Sequence, residues 1–182
     1  MKKILLASAS PRRRELLSML DVDFDVCVCD CDEKNDGIGG EYARNAACIK
    51  ADAVADKDKI VICADTIVCI DNKILGKPID RADAEKMLKC LSGRCHSVYT
   101  GFCITDGVKK ISGVEETYVY FRTLSDDDIK WYLETEEWKD KAGSYGIQGK
   151  GALLVEKIDG DYFNVVGLPV SRIFSEIKGN FN

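Results

Sequence analysis

A single histidine, His96, occurs in the 182 residues. Any Ser–His–Asp or Cys–His arrangement would have to pass through it, and the surrounding Ser92-Gly93-Arg94-Cys95-His96-Ser97 offers no nucleophile pattern. His96 therefore reads as a hydrogen-bonded histidine at a strand entrance, which leaves acid–base chemistry to carboxylates. Long apolar runs are missing too: the longest, 60–70, is short of a bilayer span and is interrupted by Asp65. Lys2-Lys3 ahead of Ile4-Leu5-Leu6-Ala7 begins like a secretion signal, but the apolar part is short and Arg12, Arg13 and Arg14 follow at once. A cytoplasmic location is expected, with no membrane partner. There is no block of like charge and no Pro/Ser-rich linker, so one domain spanning 1–182 is expected, with two lobes. Absent as well are Gly-x-x-x-x-Gly-Lys-Ser/Thr and, after the first apolar run, Gly-x-Gly-x-x-Gly, which excludes the P-loop and the dinucleotide fingerprint.

Cysteine, by contrast, is plentiful. Nine residues make an awkward disulfide set for a chain of this size, so they read as reduced thiols. Cys27, Cys29 and Cys31 alternate along a predicted strand; lacking a second pair at zinc-ligand spacing, they read as buried small hydrophobes rather than metal ligands. The formal net charge of -5 argues against a nucleic acid polymer as partner. A basic cluster on that acidic background suits a small polyanion instead.

Strand patterning falls at 3–8, 24–31, 59–70, 97–105, 113–121 and 152–158, and helical spacing at 11–20, 41–56, 80–91, 125–134 and 171–177. The alternation predicts an α/β chain, an elongated twisted sheet with flanking helices. Only a short turn at Asp106-Gly107 separates two successive strands, so part of the sheet must be antiparallel and the whole mixed.

The basic cluster sits in Ser8-Ala9-Ser10-Pro11-Arg12-Arg13-Arg14, where the first strand turns into the first helix. Pro11 suits the first helical position and Ser10 the cap, and the unpaired N–H groups of such a mouth favour a phosphate. Three arginines at the positive end of a helix dipole call for an anion to offset them, unless they fan into solvent or pair with carboxylates elsewhere. Asp65 interrupts Ile60-Val61-Ile62-Cys63-Ala64 and Ile67-Val68-Cys69-Ile70; with Thr66 beside it, it could hold a divalent metal or polarise a water, or else cap a bulge. Lys77 in Gly76-Lys77-Pro78 is a candidate phosphate contact, and Glu33 and Lys50 complete a mixed set of charges. Gly143, Gly146, Gly149, Gly151, Gly160 and Gly167 crowd one C-terminal stretch around Gln148, marking tight turns or close approach to a ligand.

Taken in order, Ser8 to Arg13, Ala64-Asp65-Thr66-Ile67-Val68, Gly76-Lys77-Pro78, Leu91-Ser92-Gly93-Arg94, His96 to Gly101, Asp140 to Gly149 and Asn164-Val165-Val166-Gly167-Leu168-Pro169 resemble the Maf family of nucleotide pyrophosphatases over nearly the whole chain. The resemblance implies a two-lobed α/β fold around a cleft, similar to inosine triphosphate pyrophosphatases, and hydrolysis of nucleoside triphosphates to monophosphate and pyrophosphate. It implies a divalent cation, Mg²⁺ or Mn²⁺, at Asp65 and Glu33, with Asp65 as proton acceptor. Arg12, Thr66 and Gln148 match positions for base selection and resemble the branch acting on dTTP and UTP. Ser8, Arg13, Glu33, Lys50 and Lys77 match the other polar cleft positions. A homodimer is a further expectation. Departures lie at Cys27 to Cys31 and at Glu137-Trp138-Lys139, where the family often has a proline. Alternatives are a pyrophosphatase for modified nucleotides and a nucleotide-sensing regulator of cell division or septum formation that does not hydrolyse.

Overall fold

The apolar run after Lys3 ends at Ala7, and in the computed structural model, which describes residues 2–181, Lys3–Ala7 is the first strand of a seven-stranded mixed sheet. The strands are β1 (Lys3–Ala7), β2 (Phe24–Cys27), β3 (Lys59–Ile70), β4 (Lys73–Leu75), β5 (Cys95–Thr105), β6 (Lys110–Phe121) and β7 (Val155–Asp159). Their spatial order is β2-β1-β3-β5-β6-β7, with β4 paired to β3 alone. β1 runs parallel to β2 and β3, and every other pairing is antiparallel.

The helices are α1 (Pro11–Ser18), α2 (Gly40–Ala53), α3 (Arg81–Leu91), α4 (Asp126–Glu134), α5 (Tyr162–Val166) and α6 (Val170–Asn180). α1 begins as its sequence dictates: Ser10 Oγ accepts from Arg13 N–H at 3.4 Å, and Pro11 takes the position whose N–H would be unpaired. Asp80 caps α3, and Ser125 with Asp128 closes a capping box on α4. No helix among the described residues is long and apolar enough to cross a membrane.

α2 covers one face of the sheet through a stripe of small residues, Ala43, Ala46, Ala47 and Ala51, all fully buried. The approach is close because β5 carries Gly101 beneath it. A Cβ there would lie 2.2 Å from the backbone of Ala43 and Arg44. On the other face, Ile60, Ile62 and Ala64 of β3 join a core with α1 and α6, while Val68 and Ile70 join a second core with α3 and α4. Two cores thus meet along one long strand, and Asp65-Thr66 lies at the junction.

One edge of β3 is interrupted at that junction. β1 pairs with it up to Ile62 and β4 only from Val68, so 63–67 have no strand partner on that side. The sheet opens where β1 has turned into α1, outside the carboxyl ends of two parallel strands, which is where open α/β sheets place ligands.

Several boundaries differ from the sequence reading. β2 stops at Cys27 instead of 31, because its neighbour β1 stops at Ala7, opposite Cys27; Ser8 N–H to Cys27 C=O at 2.9 Å is the last rung. Cys27, Cys29 and Cys31 are half-buried and Cys29 and Cys31 lie beyond the strand, which corrects their reading as a buried strand face. Residues 152–154 belong to a 3₁₀ run (Gly149–Leu154), and β4 and α5 carried too few residues to show a period.

Candidate active site

Arg13 projects from the first turn of α1 back toward the sheet, where three donors of its guanidinium are fixed. Nε donates to Gly167 C=O at 2.8 Å, Nη1 to Ser8 Oγ at 3.3 Å and Nη2 to Thr66 Oγ1 at 3.0 Å. Among the described residues none of its donors goes to a carboxylate. Burial lowers its pKa from the ordinary value, with Asp65 opposing that shift. A desolvated cation whose partners are all neutral is poised for an incoming anion.

The acidic wall faces it from the other side of β3. Adjacent strand residues point to opposite faces, so Thr66 meets α1 whereas Asp65 meets α2. There Lys50 Nζ lies 2.9 Å from Asp65 Oδ1 and 2.7 Å from Glu33 Oε2. The Lys50 side chain is only 11% exposed, so its ammonium is tied to these two carboxylates rather than to water. Gly101 stands opposite Asp65 in the ladder, and the close seating of α2 that it permits brings Lys50 within reach. Asp65 and Thr66 share one cavity because the strand edge between them and solvent is unpaired.

That cavity has a volume of about 860 Å³. Ser8, Arg12, Arg13, Glu33, Lys50, Asp65, Thr66, Lys77 and Gln148 all line it, so every site residue expected from the sequence is brought together. Arg14, third of the basic triplet, is exposed and does not take part. Lys77 follows β4, and Gly76 C=O accepts from Gly143 N–H at 3.1 Å, fastening that turn to the segment bearing Gln148. Gly143 has φ 66°, and a Cβ there would press on Val68, so the segment can lie against β3 only as glycine.

A family model described as Maf-like protein matches residues 3–180. The chain belongs to the Maf family. A dTTP/UTP pyrophosphatase of Pyrococcus furiosus is 54% identical, covering 98% of this chain and 95% of its own. Proteins of the same name from Thermoanaerobacter sp. (52%, covering 99% and 97%) and Bacillus cytotoxicus (47%, covering 98% and 95%) are similar over the same extent.

In this Maf chain Glu33 and Asp65 offer oxygen donors that converge on the point held by Lys50. Among the described residues no group of three or more His, Cys, Asp or Glu could hold a metal ion. Mg²⁺ and its kin commonly take one or two carboxylates with substrate phosphates completing the shell, so the pair fits a hard cation that arrives on a nucleotide.

His96 is buried on β5 with Nε2 2.8 Å from Tyr145 Oη, and burial pushes its pKa down to about 4. It is a hydrogen-bonded histidine at the start of β5, as its place in the sequence suggested, and it is buried there. The sequence reading missed Lys141, which lines the cavity with Tyr42 and Tyr145. Its pKa is lowered by burial and then by Arg12, placing two cations together. The signal was present in Asp140-Lys141-Ala142-Gly143, whose lysine precedes a glycine turn as Lys77 follows one.

Proposed function

We propose that the chain hydrolyses dTTP and UTP to the monophosphates with release of pyrophosphate. The observation that carries this is the facing of Arg13 and a helix mouth by an Asp65–Lys50–Glu33 group across one cavity. The names of relatives about half identical over nearly full length support the same reading.

The triphosphate lies against the mouth of α1, where Arg12, Arg13, Lys77 and Lys141 meet its charge. Arg13 has five N–H donors and three are occupied, so two remain for phosphate oxygens in a plane already set. Asp65, oriented by Lys50, accepts a proton from water as the water oxygen bonds to the α-phosphorus. The bond from that phosphorus to the bridging oxygen breaks, and the electron pair leaves with pyrophosphate. Glu33 and Asp65 would hold a divalent cation, which when bound neutralises phosphate charge and polarises a phosphoryl oxygen. Lys50 holds the two carboxylates together. Gln148 lines the cavity, where its amide can donate and accept at a pyrimidine edge.

The test is pyrophosphate and monophosphate release across dTTP, UTP, CTP, GTP and methylated GTP with Mg²⁺ or Mn²⁺. Preference for dTTP and UTP is the expected result, with Gln148→Glu eroding it. Binding without pyrophosphate release would leave a nucleotide sensor instead.

A further inference from the structure

Thr100 and Asn164 lie behind the cavity wall, both fully buried, yet they connect to Arg13 through an unbroken run of hydrogen bonds. The direction of each bond follows by elimination. Asn164 C=O can only accept, so Thr100 Oγ1 donates its one hydrogen to it at 2.9 Å. Thr66 Oγ1, 2.9 Å from Thr100 Oγ1, is then the donor of that pair, Gly167 C=O at 3.5 Å being its more distant alternative acceptor. Having placed its hydrogen inward, it turns a lone pair to Arg13 Nη2 at 3.0 Å.

The far end of the run is anchored. Asn164 Nδ2 donates to Val98 C=O and to Thr117 Oγ1, each at 3.0 Å, and Val98 and Thr117 are partners across β5 and β6. Thr117 in turn donates to Asp161 C=O at 2.9 Å. This amide clamps α5 to two strands at once. α5 and the glycine that ends it then hold Arg13 twice: through Gly167 C=O on Nε, and through Asn164 C=O, Thr100 and Thr66 on Nη2.

We propose that Thr100 and Asn164 are positioning residues that fix the plane of the Arg13 guanidinium, with Thr66 as their intermediary. In consequence the Thr66 hydroxyl presents an acceptor and no donor to a ligand. Any part it takes in base selection runs through its methyl group, its lone pair or the placement of Arg13. The inference rests on the reading of Arg13 as the phosphate contact.

The variants are Thr100→Val, which keeps shape and removes the hydroxyl, and Thr100→Ser, which restores it. For dTTP and UTP, Thr100→Val is expected to raise KM about ten-fold with a smaller change in kcat, and Thr100→Ser to return KM to within about two-fold. A readout independent of turnover is hydrogen exchange at Arg13 Nε–H followed by ¹⁵N NMR, the signal being identified by its loss in Arg13→Lys. Exchange is expected to quicken in Thr100→Val and to slow again in Thr100→Ser. Should Thr100→Val fail to fold, Thr66→Val and Thr66→Ser at the cavity wall carry the same comparison. Wild-type exchange and KM in a folded Val variant overturn the proposal. A wild-type enzyme that releases no pyrophosphate, yet whose Arg13 exchange still depends on Thr100, supports the positioning and removes only the catalytic reading.

Discussion

Lys50 holds Glu33 and Asp65 on one ammonium, and little of that group faces water. Replacing it by Met would leave two carboxylates close together without a counter-charge. The expected cost is about 1–3 kcal/mol, read as a lower urea midpoint, with turnover lost beyond what the lower stability explains. His96 makes a separate expectation about acid. Its pKa falls from 6.5 to about 4 on folding because burial disfavours the imidazolium. Between those values the unfolded chain binds more protons. The stabilising contribution is therefore complete above about pH 6.5 and is lost as pH falls toward 4, up to about 3 kcal/mol in all. In His96→Gln, which can still meet the Tyr145 hydroxyl, denaturation midpoints should fall less between pH 6.5 and pH 4 than in the parent. At this scale the sequence was informative where chemistry conflicts with surroundings. Asp65 stands out as a carboxylate in an apolar run and Arg12 and Arg13 as cations at a helix start. Thr100 and Asn164 fall in stretches that carry the family resemblance, but as neutral residues they signal no chemistry of their own, and their joint role comes only from a contact between positions 64 residues apart.

Among the elements, α2 decides whether the acidic wall exists. Its alanine stripe and Gly101 let helix and sheet approach until their backbones nearly touch. Gly101→Ala would force a methyl group into the backbone of Ala43 and Arg44, pushing α2 outward and Lys50 away from Asp65. A loss of about 3 kcal/mol in chemical denaturation is expected, with kcat/KM falling further than for an equally destabilising change elsewhere in the core. The long strands and capped helices were legible, since β3 and β5 show apolar periods and Ser10, Asp80 and Ser125 mark helix starts. The end of β2 was not, because it is set by where β1 stops rather than by its own cysteines. β4 and α5 span only three and five residues, too few for a period to register.

At the level of the molecule, the cavity draws its walls from α1, the stretch 28–33, α2, β3, the turn after β4, 139–148 and the end of α5 with Gly167. Two apolar cores flank it, and a nucleotide bound there touches elements belonging to both. Binding should therefore stabilise the fold as a whole: at a hundred times Kd the gain is about 2.7 kcal/mol, or a rise in Tm of roughly 5–10 °C. The acidic surface, at net charge -5, leaves the basic mouth as the place where a polyanion gains. The most direct test joins this shift to chemistry in Asp65→Asn, measuring the UTP-induced rise in Tm and pyrophosphate release on the same preparation with divalent cation present. A rise in Tm with turnover at least about a hundred-fold below the parent is the expected result. Near-parental turnover by Asp65→Asn would contradict the assignment of this carboxylate as the group that takes the proton from water.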